Sequence, residues 1–244
     1  MKKKIIGVIP SRYQSSRYPG KPLALILGKP MVWWVYEQAK KVEEIDELVV
    51  ATDDERIADC CRQYGMNYMM TGEHVTGADR VAEVAERTDG DIYLNIQGDE
   101  PLIEPEAIRQ VLHIVLDEGV EYAALRTRID EKTEWEKYGV VKAVCDLNGD
   151  AMYFSRAPIP YNFDKADAYL LVGLYAYTRD FLIEFLSWGQ TDLEIGENGV
   201  EPIRALQHGR KIRLGISDLP TIGVDLPEQI PEVEELIRKR DGLS

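Results

Sequence analysis

The stretch IIGVIPSRYQSSRYPGKP, residues 5–22, decides the fold. Its first five residues are apolar and stop at Pro10, which is the pattern of a short strand buried in a parallel sheet. A loop of serine, glycine and basic residues follows the strand at once. A strand that runs into such a loop is typical of α/β proteins, whose ligands bind at the carboxyl ends of the strands.

Strand and helix patterns alternate through the first half of the chain and predict a doubly wound, mostly parallel α/β sheet. The predicted strands are 5–9, 48–51, 66–70 and 91–96, and the predicted helices are 30–42, 55–64, 78–87 and 105–118. The second half is less regular, with strands near 121–128, 139–145, 151–154, 170–177 and 211–216, a helix over 179–188, an interrupted helix over 192–209 and a final helix from about 227. We expect a single domain over 1–244, with a small lobe embedded at about 121–178.

The balance of charge excludes several classes of partner. The 244 residues carry a formal net charge of −14, which disfavours general binding to nucleic acids and docking on anionic membranes. No apolar run approaches the ~18 residues of a membrane span, and we expect a cytoplasmic protein. The three cysteines and three histidines show no disulfide framework, no zinc-site spacing and no basis for a histidine-centred triad.

The basic residues near the start of the chain suggest an anion site. Residues 1–29 sum to +7 and the remainder to −21. Within that segment Arg12, Arg17 and Lys21 lie in the loop after the first strand. Arginine forms paired hydrogen bonds to phosphate oxygens, and serine and glycine let backbone N–H groups approach an anion. The spacing is not that of a Walker A loop. The loop favours polyphosphate binding, with a solvated basic loop as the alternative.

Two carboxylates occupy positions that suit a metal ion. Asp99 follows the apolar strand 91–96, and Asp225 precedes Pro227 at the start of the last helix. Each has an ordinary alternative, Asp99 as a solvated turn residue and Asp225 as a helix cap. Together with a cationic loop, two such carboxylates are what Mg²⁺-assisted transfer from a nucleoside triphosphate requires.

Seven motifs in chain order resemble those of the 3-deoxy-manno-octulosonate (Kdo) cytidylyltransferases, also called CMP-Kdo synthetases. They are IPSRY at 9–13, SR at 16–17, PGKPL at 19–23, ATD at 51–53, QGDEP at 97–101, YFSRA at 153–157 and GVDLPE at 223–228. The resemblance covers essentially the whole chain. It implies a nucleotidyltransferase (Rossmann-like) fold, a homodimer, Mg²⁺, and transfer of CMP from CTP to an acidic sugar in lipopolysaccharide biosynthesis.

The resemblance also implies roles for individual residues. The catalytic residues would be Arg12, Arg17, Lys21, Asp99 and Asp225, and the two aspartates would bind Mg²⁺. The CTP-binding residues would be Pro10, Ser11, Arg12, Ser16, Arg17, Lys21, Thr76, Gly77, Asp79 and Arg80. The acceptor would contact Gln97, Lys142, Arg156, Tyr175 and Glu201. The ion would neutralise the α-phosphate and lower the pKa of the attacking hydroxyl, so that no histidine base is required.

The acceptor side departs from the family pattern at three positions. Leu171 and Pro202 stand where the family usually has histidine and glutamine, and Phe163 aligns with an expected arginine. Apolar groups in place of hydrogen-bond donors should change what the pocket accepts. Kdo is the first expectation, and amino-Kdo, another 2-keto acid sugar, a phosphonate or a phosphate is the alternative. Transfer of another nucleotide, such as UMP, and a non-catalytic nucleotide-binding protein are further hypotheses.

Overall fold

The computed structural model describes residues 2–14, 18–219 and 222–242. Its strands are β1 (Ile5–Pro10), β2 (Leu25–Ile26), β3 (Lys29–Pro30), β4 (Glu47–Thr52), β5 (Tyr68–Met70), β6 (Ile92–Ile96), β7 (Tyr122–Arg128), β8 (Lys142–Cys145), β9 (Ala151–Ser155), β10 (Tyr169–Thr178) and β11 (Arg213–Ile216). Its helices are α1 (Met31–Ala39), α2 (Glu55–Tyr64), α3 (Gly77–Arg87), α4 (Pro105–Glu118), α5 (Lys132–Trp135), α6 (Arg179–Ser187), α7 (Asp192–Gly196), α8 (Pro202–Gln207) and α9 (Ile230–Asp241). Single 3₁₀ turns lie at Lys21–Leu23 and Pro227–Gln229.

The chain forms two compact units. The first contains residues 1–109 and 220–244, and the second contains 110–219. The lobe expected at about 121–178 lies inside the second unit, which extends beyond it at both ends. The expectation of a single domain stays a prediction.

The first unit is built on a parallel sheet. The central strand β1 pairs in parallel with β4 and β6, and β5 pairs in parallel with β4. Because parallel strands point the same way, the loops after β1, β5 and β6 leave the sheet at one edge. These loops contain the predicted phosphate-binding residues as well as Thr76 and Asp99, whereas Asp225 lies in the segment before the turn Pro227–Gln229. The prediction of an α/β fold with a mostly parallel sheet is confirmed.

The hairpin β2–β3 was not predicted from the sequence, and it helps to place the end of the chain. Its turn uses positive φ angles at Leu27 and Gly28, of 48° and 75°. Leu27 donates its backbone N–H to Glu234 of α9 at 2.8 Å. The hairpin, α1 and α9 share a buried core of Ile26, Met31, Trp34, Leu102, Val224, Val233 and Ile237. Burial of Val224 fixes the segment that carries Asp225.

The second unit is arranged around β7, which pairs antiparallel with β10 and parallel with β11. The β8–β9 hairpin extends it, because β8 pairs antiparallel with β10. The helix expected over 192–209 is interrupted, as predicted, and forms α7 and α8. In the described part of the chain, no helix has the length and apolar character needed to cross a membrane.

Candidate active site

The loop after β1 folds back on itself and brings Lys21 to the edge of the sheet. Gly20 donates its backbone N–H to the carbonyl of Tyr13 at 2.7 Å. Gly20 has a φ of 74°, and a Cβ there would lie 3.1 Å from the Tyr13 ring. Both facts favour glycine, which has no side chain and adopts positive φ at little cost. The turn Lys21–Leu23 follows directly.

The loop after β6 approaches the first loop closely at Gly98. A Cβ on Gly98 would lie 3.0 Å from Ser11 Oγ and 3.1 Å from the carbonyl oxygen of Pro10. Ser11 is buried, and its backbone N–H donates to Ala51 at the end of β4. The loops after β1 and β6 therefore pack closely where these strands end, and Asp99 lies near Lys21.

The Lys21 ammonium lies close to both predicted metal ligands, Asp99 and Asp225. Its Nζ lies 2.5 Å from Asp99 Oδ2 and 3.4 Å from Asp225 Oδ1. The Lys21 side chain is 13% exposed, whereas those of Asp99 and Asp225 are 34% and 48% exposed. One ammonium group therefore lies beside two carboxylates that remain open to solvent, and the three groups together carry a formal charge of −1.

Asp225 reaches this position through its backbone. The neighbouring Val224 donates its N–H to the carbonyl of Asp99 at 2.9 Å. The alternative role of Asp225 as a helix cap is wrong: Leu226 precedes the first turn, and Gln229 Oε1 accepts the N–H groups of Asp225 and Leu226 at 2.7 and 2.8 Å. Because Gln229 satisfies these donors, the Asp225 carboxylate can face Lys21.

Glu100 is a third carboxyl at this edge that sequence reasoning did not assign. Its Oε2 atom is buried and has no hydrogen-bond partner among the described residues. Burial, together with the charge of Asp99, raises the pKa of Glu100 to about 8. Burial of this atom depends on how the chain turns after Asp99, which no local pattern reveals.

The donor set suits a divalent cation that is shared with a ligand. Within residues 2–14, 18–219 and 222–242, no group of three or more His, Cys, Asp and Glu side chains could hold a metal by itself. The Asp99 and Asp225 pair supplies two carboxylates, and Mg²⁺ commonly takes one or two carboxylates and completes its coordination with water and phosphate oxygens. The pair therefore fits such an ion, with the remaining ligands coming from the nucleotide.

The predicted CTP residues of the first unit lie around the same edge. Pro10 ends β1, Arg12 is exposed at the start of the loop, and Ser16 and Arg17 lie outside the described residues. Thr76 caps α3, because its Oγ1 accepts the N–H of Asp79 at 3.1 Å. A Cβ on Gly77 would lie 3.5 Å from Pro10 Cγ. The start of α3 is therefore next to the end of β1.

Arg80 and Gln97 contact neighbouring residues of the chain. Arg80 is 3% exposed, and its guanidinium pairs with Asp53 Oδ2 at 3.1 Å. Gln97 donates its Nε2 to Asn95 Oδ1 at 3.2 Å. Asn95 is fully buried in β6, so this hydrogen bond ties the Gln97 amide to a fixed part of the sheet.

Two predicted acceptor residues of the second unit donate to backbone oxygens. The buried Lys142 donates its Nζ to the carbonyls of Lys137, Val140 and Arg156, at 2.7, 2.8 and 2.7 Å. Burial, followed by the positive charge of Arg156, lowers the pKa of Lys142. The Arg156 guanidinium donates to the carbonyls of Glu197 and Gly139, both at 3.1 Å. These contacts fix the strands and turns around both residues.

Glu197 links these elements and was not predicted. Its carboxylate accepts the Ser155 hydroxyl at 2.7 Å, the Tyr153 hydroxyl at 3.2 Å and the N–H of Arg156 at 2.8 Å. Burial opposes the charge of Glu197, but these hydrogen bonds outweigh it and hold the pKa below its usual range. The only sequence signal was an acidic residue in the turn between α7 and α8.

Tyr175 and Glu201 both lie close to Tyr122 in the second unit. Tyr175 is 8% exposed and meets the Tyr122 ring edge-on, with centroids 6.0 Å apart. Burial raises the pKa of Tyr122 well above its ordinary value, and the nearby Tyr177, Tyr175 and Glu201 add to that effect. Glu201 immediately precedes α8.

The three departures from the family pattern have defined places in the second unit. Phe163 packs on Trp135, with ring centroids 5.6 Å apart, beside Ile129 and Ala168. Leu171 is half-buried in β10, opposite Arg126 of β7. Pro202 is the first residue of α8, where a missing N–H costs nothing because no helical acceptor precedes it.

A parallel sheet with a cation and a carboxylate pair at its carboxyl edge is the arrangement of a nucleotidyltransferase, and comparison with known proteins identifies the class. A family model described as cytidylyltransferase matches residues 6–213. The chain belongs to this family.

Relatives within the family agree on one name. The 3-deoxy-manno-octulosonate cytidylyltransferases of Geobacter metallireducens and Solibacter usitatus are each 43% identical to the chain. The matches cover 97% and 98% of this chain and 98% and 96% of theirs. Among solved structures, CMP:2-keto-3-deoxy-manno-octonic acid synthetase complexed with CTP matches with a TM-score of 0.92 and 39% identity, over 97% of this chain and 99% of that one. The resemblance found in the sequence is confirmed.

A more distant structure shows the fold alone. 4-Diphosphocytidyl-2C-methyl-D-erythritol synthase from Anaerococcus prevotii has a TM-score of 0.66 at 16% identity, and the match covers 98% of this chain and 100% of that one. The prediction of a nucleotidyltransferase fold is confirmed by both structures.

Proposed function

We propose that the chain transfers CMP from CTP to 3-deoxy-manno-octulosonate and releases pyrophosphate. Relatives named for that activity match over nearly the full length of both chains. The observation that carries the proposal is the contact of the Lys21 ammonium with Asp99 and Asp225. This contact supports the proposal because it brings a cation and a carboxylate pair together at one edge of a parallel sheet, and nucleotidyl transfer needs such a combination to bind phosphate and metal.

The residues of the first unit would bind and activate CTP. Arg12, Arg17 and Lys21 would neutralise phosphate oxygens, on which negative charge increases as pyrophosphate leaves. Asp99 and Asp225 would hold Mg²⁺, which when bound would polarise the α-phosphate and lower the pKa of the attacking hydroxyl. The reaction would take place in the cytoplasm, where CTP is available.

The acceptor contacts proposed in the second unit are Tyr175 and Glu201, and a contact from Gln97 stays a prediction from the resemblance. Lys142 and Arg156 would act by holding β8, β9 and the turn at Glu197, because their side chains donate to backbone oxygens. A different anionic acceptor is the second candidate. It is favoured by the apolar side chains of Phe163 and Leu171 and by the start of α8 at Pro202.

A pyrophosphate-release assay with CTP and Mg²⁺ tests both candidates. The acceptors would be Kdo, an amino-Kdo, a second 2-keto acid sugar, a phosphonate and inorganic phosphate. We expect turnover with Kdo, and we expect CTP to be used in preference to UTP. Turnover with the phosphonate and with no acid sugar would overturn Kdo as the acceptor. Stable binding of CTP with no product from any acceptor would favour a nucleotide-binding protein that does not catalyse transfer.

We also propose that the protein forms a homodimer through the second unit. That unit exposes large apolar side chains, whose burial against a second copy would be favourable: Tyr138, Met152, Leu193 and Ile195. Trp135 and Phe154 are buried within the unit and would not contribute to that surface. Light scattering coupled to size-exclusion chromatography should give twice the mass of 27.8 kDa. A single-chain mass at micromolar concentration would contradict the proposal.

A further inference from the structure

Residues 71–76, which we call the β5–α3 loop, reach the predicted nucleotide residues of the first unit. The loop starts where β5 ends, at the same sheet edge as Lys21, and Gly77 follows it. A Cβ on Gly77 would lie 3.5 Å from Pro10 Cγ and 4.0 Å from Gln97 Oε1. The loop includes Thr76 and leads directly into Gly77, so its conformation affects where these two predicted CTP residues lie beside the end of β1.

Glu83 of α3 holds the β5–α3 loop. Its Oε2 accepts the backbone N–H of Gly72 at 2.9 Å and lies 2.6 Å from His74 Nε2. Its Oε1 accepts from Arg87 at 3.0 Å, and Arg87 also donates to the carbonyl of Met70 at 2.5 Å. Burial opposes the charge of Glu83, but the hydrogen bonds from His74, Gly72 and Arg87 outweigh it and keep the pKa below its usual range.

Arg80 also holds the β5–α3 loop. Its Nη1 donates to the hydroxyl of Thr71 and to the carbonyl of Gly72. Its Nη2 pairs with Asp53, which follows β4. The Arg80 side chain is only 3% exposed, so it contacts other residues of the protein rather than solvent. The loop is therefore tied both to α3 and to the end of β4.

We propose that Glu83 is a positioning residue for CTP: it holds the β5–α3 loop in the conformation that receives the nucleotide, without touching the nucleotide. The inference rests on the proposed function, because it takes CTP as the ligand of this sheet edge. A loop that is ordered before binding loses less conformational freedom when the ligand arrives, so affinity increases. Arg80 supports the same loop through Thr71 and Gly72.

The test compares Glu83→Gln with Glu86→Gln, a matched change at an exposed position of the same helix. Hydrogen exchange without nucleotide should become faster in residues 71–76 of Glu83→Gln and stay unchanged in Glu86→Gln. Loss of hydrogen bonds to a charged group should raise the KM for CTP about tenfold in Glu83→Gln. Its kcat and its KM for the acceptor should stay within about twofold of the unmodified protein, because the reacting groups are intact.

Two results would overturn the inference. One is faster exchange of the loop with an unchanged KM for CTP. The other is a fall in kcat together with a rise in the KM values for both CTP and the acceptor and a lower melting temperature. That pattern would indicate a purely structural role. If Glu83→Gln does not fold, His74→Gln decides, because it removes a single contact at a part-exposed site. We expect the same pattern there, with a rise of about threefold in the KM for CTP.

Failure of the proposed function gives a different result. In that case the unmodified protein itself would show no turnover with CTP and any acceptor. Hydrogen exchange and calorimetric measurement of CTP binding need no turnover, so they would still test the role of Glu83. Equal exchange in Glu83→Gln and Glu86→Gln would overturn it.

Discussion

The ammonium of Lys21 lies 2.5 Å from a carboxylate oxygen of Asp99, although 78 positions separate the two residues in the chain. Two glycines make this contact possible. Gly20 permits the turn that returns the first loop to the sheet, and Gly98 lets the β6 loop pack against Ser11 and Pro10. The contact thus depends on two glycines: Gly20 has a positive φ, and a Cβ at either position would crowd its neighbours.

Neutralising either aspartate should abolish transfer and leave folding intact. In Asp99→Asn and Asp225→Asn one charged ligand for the ion is lost, so we expect kcat/KM to fall by about 100-fold or more. Because both side chains are partly exposed, the melting temperature should change little. Pyrophosphate release across a range of Mg²⁺ concentrations, with Glu232→Gln on α9 as a control, measures the effect. Near-normal rates at low Mg²⁺ in either variant would contradict the assignment of that residue to the metal.

Removal of the Lys21 ammonium should weaken CTP binding and slow transfer. In Lys21→Ala the phosphate oxygens lose one cation, and we expect a rise of about tenfold in the KM for CTP together with a lower kcat. Lys29→Ala is the matched control, because Lys29 is an exposed lysine of the same basic segment that contacts the rings of Trp33 and Tyr64. Equal kinetics in the two variants would mean that Lys21 has no part in the reaction.

Elements with strong local signals could be predicted from the sequence. Helix α2 matches its prediction at both ends, because Asp54 caps its start and Gly65 ends it with a φ of 67°. The β2–β3 hairpin and α5 were missed, since two-residue strands and a four-residue helix carry no periodic pattern.

Some contacts of the candidate site could also be predicted from the sequence, and others could not. The meeting of Lys21 and Asp99 could be expected, because both follow neighbouring parallel strands and such strands end at one edge. The three carbonyls around Lys142 and the hydrogen bonds to Glu197 could not be expected. They depend on how β8, β9 and the turn after α7 pack together. A sequence shows that a lysine is present, but the tertiary fold determines whether its ammonium faces a ligand or the backbone.

Asp150 should make the stability of the second unit depend on pH. Hydrogen bonds from Lys211 and Arg213, both at 2.8 Å, lower the pKa of Asp150 against the opposing effect of burial. A carboxylate with a depressed pKa stabilises the fold above its unfolded pKa of about 4, and that stability is lost as the pH falls through the lower, folded value. Asp150→Asn should therefore lower the free energy of unfolding by ~1–2 kcal/mol at pH 7, and the difference should shrink as the pH falls below about 4.

Urea unfolding at several pH values measures this difference. Asp130→Asn is the control, because Asp130 is 84% exposed and lies 3.6 Å from Arg128, so that its contribution should be small at every pH. A difference for Asp150→Asn that stayed constant from pH 7 to pH 3 would show that the loss does not come from the charge.

A buried ion pair should control the position of the helix that follows Glu201. Arg204 of α8 donates its Nε and Nη2 to the two carboxylate oxygens of Glu194 in α7, both at 2.8 Å, and the side chains are 2% and 0% exposed. Breaking a buried pair from one side leaves a charge without its counterion, so Glu194→Gln should destabilise the protein by ~3–5 kcal/mol. Adding Arg204→Met should recover part of that loss, since the uncompensated charge is gone.

Because Glu201 immediately precedes α8, the single variant, where it remains folded, should raise the KM for the acceptor more than the KM for CTP. Denaturant unfolding of the single and double variants, with steady-state kinetics of each, tests the coupling. Losses that simply add would show that the two side chains stabilise α7 and α8 independently.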